Sequence, residues 1–207
     1  MNKKYLLDVY TERNEVMVSK LIREPEASTD DEIQRVEWQI SNSDTDILLS
    51  DMVAIAIYTK SMEDIDKYED GIAFYSGDEL LDKVFKLMAI SEGSNHRFVG
   101  WNLKTFVVPV LYRAFLLGGL NIKLLDSIFD LYPFDNLKTV DLSNLYNFNG
   151  QMITVRSRNR YSLEETAYAY GAIDALDNLE ETNPEIILRK RIKLQKYLYE
   201  LRGLEWQ

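Results

Sequence analysis

The 207-residue chain contains no cysteine and only one histidine, His96. The absence of cysteine excludes disulfide bonds, thiolate metal sites and cysteine nucleophiles, and a lone histidine excludes metal sites built from several imidazoles. No apolar run approaches the roughly 18 residues that a transmembrane helix requires, and the apolar stretch near the N-terminus is too short for a secretory signal. We therefore expect a cytoplasmic protein that has no membrane partner.

The composition is that of a folded protein rather than a disordered one. Apolar residues make up 46% of the chain and aromatic residues make up 12%, which is typical of globular domains. A chain of this length is sufficient to bury one sizeable core. We therefore predict a single domain that spans residues 1–207.

Basic residues are outnumbered, because 34 acidic side chains oppose 24 Lys and Arg and give a net charge of −10. A uniformly acidic surface repels phosphate backbones. The charge is uneven, however: residues 28–70 carry twelve acidic and three basic side chains, whereas residues 184–207 carry six basic and three acidic ones. Any contact with nucleic acid is therefore expected near the C-terminal end, with Arg156, Arg158 and Arg160 as further candidates.

Hydrophobic periodicity predicts strands that come first and then alternate with helices. A capping box is expected at Ser162 and Glu165, Gly118 and Gly119 are expected to end a helix, and Asn183 with Pro184 is expected to begin the last one. The predicted strands cover residues 4–9, 53–59, 71–75, 97–101 and 139–142, and the predicted helices cover residues 30–40, 78–90, 105–117, 163–170 and 184–202. This order favours a mixed sheet with helices on both faces.

The most informative segment is residues 98–114, which read FVGWNLKTFVVPVLYRA. It resembles the second motif of DEDD-type 3′–5′ exonucleases and is closest to the branch related to the proofreading domain of family-B DNA polymerases. Further segments match that family in order, at residues 5–10, 51–57, 140–142, 162–171 and 186–201. The resemblance implies a ribonuclease-H-like α/β fold, with a mixed central sheet of about five strands.

In that family, four acidic residues from three motifs hold two divalent cations that activate water and stabilise the leaving oxygen. By the resemblance, Asp8 is the only retained ligand position. Tyr10 stands at the glutamate position, Val107 follows Phe106 where the second aspartate belongs, and Ile187 and Arg191 occupy the third motif. The degenerate cleft implied by the resemblance comprises Asp8, Tyr10, Asn102, Phe106, Val107, Asp141, Ile187 and Arg191.

One carboxylate cannot hold two hard cations, so we expect no cofactor and no metal-dependent hydrolysis. A buried lone carboxylate needs a partner, and we expect Arg191 or a neighbouring residue to pair with Asp8. The resemblance then implies an inactive exonuclease-like module that binds or scaffolds a protein partner in a nucleic-acid-processing complex. Weak binding of single strands would use Arg189, Lys190 and Lys193.

Two alternatives stay open at this point. The first is an active exonuclease that uses Mg²⁺ or Mn²⁺ with rearranged ligands, in which Asp141, Glu164 or Glu165 converge with Asp8. The second is a structural protein that binds a basic partner through the acidic residues 28–70. Metal titration separates the first alternative from the binding module, and salt-dependent binding of single strands separates the module from the second.

Overall fold

The computed structural model describes residues 4–22, 30–43, 46–59, 71–91, 96–130, 138–147 and 161–203. Within them, five strands form one sheet in the order β3-β2-β1-β4-β5. The strands are β1 Lys4–Arg13, β2 Ser50–Tyr58, β3 Ile72–Ser76, β4 Arg97–Gly100 and β5 Thr139–Asp141. Strand β2 is antiparallel to both β1 and β3, whereas β4 is parallel to β1 and β5 is parallel to β4. The sheet is therefore mixed, as predicted.

Side chains of the central strand β1 alternate between the two faces of the sheet, because successive residues of a strand point in opposite directions. Tyr5, Leu7 and Val9 belong to the core on the first face, and Leu6 belongs to the core on the second face. Asp8 lies two residues after Leu6 and therefore points to the second face. It is a charged residue placed in the middle of an otherwise apolar layer.

Helices cover both faces of the sheet and supply the rest of the two cores. The helices of the first face are α3 Leu80–Ser91, α4 Val108–Leu117 and α5 Lys123–Ile128. Those of the second face are α6 Leu142–Asn147, α7 Leu163–Ala169, a 3₁₀ helix at Ile173–Leu176 and α8 Pro184–Leu201. This three-layer arrangement is the α/β architecture that the order of predicted elements favours.

The long helix α8 crosses β1 and β2 on the second face. The side chain of Asn183 accepts a hydrogen bond from the backbone N–H of Glu185, and Pro184 occupies the first helical position, where its missing N–H costs nothing. The helix has six buried residues: Leu188, Ile192, Leu194, Gln195, Leu198 and Tyr199. Each buried leucine or isoleucine contributes roughly 1.5–3 kcal/mol relative to an exposed position, so packing holds this helix in place.

The connection from β4 to α4 is irregular. A side chain at Gly100 would place its Cβ 2.7 Å from the carbonyl oxygen of Leu7, so only glycine allows β4 to approach β1 this closely. Asn102 follows with a left-handed backbone (φ 52°), and Leu103–Val107 forms a turn of π-helix. Both Phe106 N–H and Val107 N–H donate to the carbonyl of Asn102. The continuous helix predicted for residues 105–117 is therefore divided, and only Val108–Leu117 is α-helical.

Two helices follow β1 and precede β2 in the chain: α1 Glu15–Leu21 and α2 Asp30–Ser41. They bury a smaller share of their side chains than the other helices do. In α1, Asn14 is the N-cap and only Val18 is buried. In α2, no residue is buried, although Ile33, Val36 and Ile40 share one face by helical spacing. The prediction of a helix over residues 30–40 is confirmed, but its apolar face does not join either core.

Several predicted boundaries needed correction. Strand β1 continues to Arg13, beyond the predicted end at residue 9, because it pairs with β2 along this whole length. Helix α3 begins at Leu80, two residues after the predicted start at residue 78, because a turn in which Gly77 has a positive φ precedes it. The short helices α1, α5 and α6 were not predicted. Across the described residues, no helix is long and apolar enough to cross a bilayer.

Candidate functional site

The carboxylate of Asp8 is the centre of the candidate site. Its side chain is only 1% exposed, and it accepts three hydrogen bonds. Oδ2 accepts from Nε of Arg191 at 2.8 Å and from Nε2 of Gln195 at 2.6 Å, and Oδ1 accepts from the backbone N–H of Val9 at 2.9 Å. The expected pairing of Asp8 with Arg191 is therefore present, and it compensates a charge that burial alone would make very costly.

Arg191 links two carboxylates that come from different elements. Its Nε faces Asp8 of β1, and its Nη1 lies 3.5 Å from Oε1 of Glu164 at the start of α7. Glu164 is held there because α7 begins with the capping box formed by Ser162 and Glu165, as predicted. The site therefore consists of one guanidinium between two carboxylates.

The protonation of this site follows from its burial. Burial raises the pKa of the Asp8 carboxyl, although Arg191 and the Val9 amide act in the opposite direction. Burial also opposes the charge of Arg191, but the carboxylates of Asp8 and Glu164 outweigh it and raise the pKa of the guanidinium. Arg191 therefore stays charged at neutral pH, and any change of protonation in the pair falls on Asp8.

Beside this ion pair opens a cavity of about 480 Å³, which we call the cleft. Its lining residues are Val9, Tyr10, Thr11, Trp101, Asn102, Thr105, Phe106, Ser162, Leu163, Glu164, Ile187 and Arg191. The aromatic rings of Tyr10 and Phe106 are half-buried at its walls. The Oδ1 atom of Asn102 is buried and accepts no hydrogen bond from the described residues. The cleft thus offers apolar and aromatic walls, one buried acceptor and the Arg191–Glu164 pair.

Of the residues assigned to the degenerate cleft by sequence, Tyr10, Asn102, Phe106, Ile187 and Arg191 line the cavity. Asp8 lies behind Arg191 and contacts it directly. The structure thus brings together six positions from three segments that are far apart in the chain.

Val107 and Asp141, by contrast, lie outside the cleft. Val107 is fully buried in the core of the first face. The π-helical turn explains this position, because its extra residue rotates Val107 away from the cleft and leaves Thr105 and Phe106 facing it. Asp141 is buried beneath the same turn, where its carboxylate accepts from the backbone N–H of Lys104 and from the N–H and hydroxyl of Ser143.

The candidate phosphate-binding cations on α8 have partners within the protein. Arg189 pairs with Glu185 at 2.9 Å and donates to the carbonyl of Ile72, and Lys190 donates to the carbonyl of Asp177. Lys193 is exposed. Arg156, Arg158 and Arg160 lie outside the described residues. Binding of phosphate by these side chains stays a prediction.

The geometry does not fit the pair of divalent cations that the resemblance implies. Within the described ranges, no group of three or more Asp, Glu or His side chains is placed to hold a metal ion. The guanidinium of Arg191 occupies the neighbourhood of Asp8, where it repels other cations. Glu165 is also engaged, because its carboxylate accepts from the backbone N–H of Ser162.

Sequence reasoning missed Gln195, which donates to Asp8 from inside the core. A signal was present, because Gln195 follows Arg191 by four residues, and positions i and i+4 lie on the same face of a helix. It also assigned Glu164 only to a rearranged metal site. The position of Glu164 opposite Arg191 depends on how α7 packs against α8, and no local pattern of residues determines that packing.

Comparisons with known proteins identify the fold. No protein-family model matches the chain, and no curated protein is similar to it in sequence. Among solved structures, it is similar to the family B DNA polymerase from the hyperthermophilic archaeon Pyrobaculum calidifontis, with 12% identity over 97% of this chain and 24% of that chain, at a TM-score of 0.54. E. coli exonuclease I in complex with a dT13 oligonucleotide shares 10% identity over 98% of this chain and 42% of that chain, at a TM-score of 0.47.

The chain thus spans less than half the length of either protein. At such low identity, the similarity to the polymerase concerns the fold and not the activity. It agrees with the mixed five-stranded sheet and with the helices on both of its faces. The chain therefore shares with part of that polymerase the ribonuclease-H-like α/β fold that the sequence predicts.

Proposed function

We propose that residues 1–207 form a single exonuclease-like domain that does not cut nucleic acid and acts as a binding or scaffolding module for a protein partner. The observation that carries this proposal is the ion pair between Asp8 and Arg191, at 2.8 Å. The positive charge that metal ions bring to such a cleft is supplied here by a side chain of the protein. A guanidinium can bind and orient a partner, but it does not generate a hydroxide nucleophile as a bound metal does.

The charge of the cleft supports a protein partner over a nucleic acid. Two carboxylates, Asp8 and Glu164, surround the one guanidinium of Arg191, so the local field does not attract a phosphate chain. Tyr10 and Phe106 offer rings on which a base would stack. We therefore expect single-stranded nucleic acid to bind weakly, and this weak binding to decrease steeply as the salt concentration rises.

Hydrolysis is tested by incubating labelled single-stranded DNA and RNA with stoichiometric protein and Mg²⁺ or Mn²⁺. We expect no shortening of either substrate, and the same result for the Asp8→Ala variant. Shortening by the wild-type chain that disappears in Asp8→Ala would refute the proposal, because it would assign metal-dependent catalysis to this carboxylate.

A second experiment asks whether the substituted side chains are what prevents metal binding. Calorimetric titration with Mn²⁺ is expected to give no binding heat for the wild-type chain. The double variant Tyr10→Glu with Arg191→Asp adds two carboxylates beside Asp8 and removes the guanidinium, so it is expected to bind Mn²⁺. Binding of Mn²⁺ by the wild-type chain at this site, lost in Asp8→Asn, would contradict the proposal.

The alternative of an active nuclease with rearranged ligands has no specific support from the positions of its proposed ligands. Asp141 lies outside the cleft and accepts hydrogen bonds from Lys104 and Ser143. Glu165 completes the cap of α7, and Glu164 faces Arg191. Recruiting them would require breaking these contacts, so the binding module is the function that the geometry supports best.

A further inference from the structure

A second cavity adjoins the cleft on the other side of Arg191, and we call it the outer groove. Its volume is about 520 Å³. It is defined by Asp174, Asp177 and Leu179 on the wall formed by the 3₁₀ helix and the following turn, and by Ile186, Lys190 and Leu194 on α8. Glu164, Ile187 and Arg191 line both cavities. The cleft and the outer groove are therefore contiguous, and one extended ligand could occupy both.

Large aliphatic side chains are exposed at the outer groove. Leu179 and Ile186 line it and are 63% and 50% exposed, and Ile173, next to Asp174 in the chain, is 83% exposed. Single exposed apolar residues are common on protein surfaces, but several in one place mark a contact surface. The groove therefore offers apolar area to a partner.

The cations that line the outer groove are largely engaged within the protein. Arg189 pairs with Glu185, Lys190 donates to the carbonyl of Asp177, and Arg191 pairs with Asp8 and Glu164. The charges of Arg189 and Arg191 are therefore compensated before any ligand arrives, whereas the carbonyl engages Lys190 without neutralising its charge. Because a phosphate chain would have to displace these contacts, the groove does not fit a nucleic acid.

The carboxylates of the opposite wall differ from the cations in this respect. Within the part of the chain that the structure describes, the carboxylates of Asp174 and Asp177 have no ion-pair partner. Both residues are exposed. Outside the ion pairs of Arg189 and Arg191, the groove is lined by three carboxylates (Asp174, Asp177 and Glu181) and two ammonium groups (Lys190 and Lys193). Its net charge toward a ligand is therefore negative, and two of these carboxylates lie next to Leu179 and Ile186.

We infer that the outer groove binds a protein segment in which lysine or arginine flanks a large apolar side chain. The apolar side chain would contact Leu179 and Ile186, and the flanking cations would pair with Asp174 and Asp177. The segment would then continue past Arg191 into the cleft. This inference rests on the proposed function, because it gives the chemistry of the partner that the binding module takes.

The test is fluorescence anisotropy with the full chain and a panel of labelled 12-residue peptides. In each peptide, a central leucine, phenylalanine or tryptophan is flanked on both sides by lysines, by arginines or by glutamates, and a 12-nucleotide oligo-dT is the nucleic-acid probe. We expect binding of at least one lysine- or arginine-flanked member, and no binding of the glutamate-flanked peptides. Failure of every basic peptide, or equal binding of the acidic ones, would overturn the inference. Stronger binding of oligo-dT than of every basic peptide would do the same.

Variants with matched controls locate the binding. The pair Asp174→Asn with Asp177→Asn is expected to weaken binding about fivefold to tenfold, since two exposed ion pairs are lost. The control pair Asp30→Asn with Asp31→Asn removes two exposed carboxylates of α2 and should leave affinity unchanged. Likewise, Leu179→Ser is expected to weaken binding about tenfold, whereas Leu116→Ser, at a leucine of similar exposure on α4, should not.

Equal losses of affinity in the control variants would overturn the inference, because binding would then depend on overall charge or on non-specific hydrophobic contact. Hydrogen exchange gives an independent readout, with protection by the peptide expected at residues 173–194 and not in α2. The nuclease assay is separate from these measurements. Cleavage by the wild-type chain would refute the proposed function without changing the peptide-binding result. The absence of peptide binding would refute only the inference about the ligand of the outer groove.

Discussion

Helices α8 and α2 are both amphipathic in sequence, yet they are held in place by different forces. Helix α8 has six buried residues and contacts β1, β2 and α7. Helix α2 has none, and its Ile33, Val36 and Ile40 share a face that stays incompletely covered. The same periodic pattern therefore predicts both helices, but it does not tell which of them contributes to the core.

Among the described residues, helix α2 is stabilised by local interactions and not by packing against a core. Asp30, Asp31 and Glu32 occupy its first turn, where carboxylates favour the positive end of the helix dipole. At the other end, Asn42 donates to the carbonyl of Trp38 at 2.8 Å and Ser43 donates to that of Ile40 at 2.7 Å. A helix of this length is only marginally stable when local interactions are all that stabilise it. Relative to the residues that the structure describes, helix α2 is therefore weakly coupled to the core, whereas α8 is part of it.

The largest effect is expected when the buried ion pair on α8 is broken. Arg191→Met keeps most of the packing but leaves Asp8 without its cation, and we expect a loss of about 3–5 kcal/mol in the free energy of unfolding at pH 7. Lys193→Met, at an exposed position of the same helix, should change it by less than about 0.5 kcal/mol. Urea denaturation measures both, and similar losses in the two variants would contradict the role given to the pair.

A smaller effect is expected from pH, through Asp8. Because burial raises its pKa above the ordinary value of 3.8, the folded protein holds this proton more tightly than the unfolded chain does. The stability that protonation gives is present below pH 3.8 and is lost as pH rises through the higher pKa of the folded state. We therefore expect the wild-type chain to lose stability relative to Asp8→Asn as pH rises from 3.8.

Unfolding of the two proteins at a series of pH values measures this difference, since all other titrating groups are shared. The penalty of Arg191→Met should also shrink as pH falls, because protonated Asp8 no longer needs a counter-charge. A difference between wild type and Asp8→Asn that grows in the opposite direction would show that pairing with Arg191 outweighs burial.

The smallest effect is expected in α2. Ile33→Ser with Ile40→Ser should change the free energy of unfolding by no more than about 0.5 kcal/mol per site, as exposed substitutions usually do. Leu198→Ala, at a fully buried position of α8, is expected to cost about 2–5 kcal/mol. A loss in the α2 variant comparable to that of Leu198→Ala would show that α2 is packed against the core, and would remove the contrast between the two helices.

Much of the fold could be predicted because its signals are local. Alternation in β2, the capping box at Ser162 and the Asn183-Pro184 start of α8 all appear where the sequence placed them. The pairing of Asp8 with Arg191 was also predictable, since a buried carboxylate needs a partner and the C-terminal helix is basic.

What could not be predicted depends on contacts between distant segments. The π-helical turn arises where β4 meets α4, and of the two predicted cleft residues Phe106 and Val107 only Phe106 lines the cleft. Glu164 meets Arg191 only because α7 packs on α8. Lys190 likewise donates to the carbonyl of Asp177, 13 residues away, a contact that no local pattern of residues predicts.

The π-helical turn at Leu103–Val107 also determines what a substitution at position 107 would do. An aspartate introduced at position 107 would enter the core of the first face, among apolar side chains, instead of the cleft. Such a substitution would destabilise the protein without creating a metal ligand. A carboxylate placed instead at Thr105 or Phe106 would face the cleft, because these two side chains of the same turn line it.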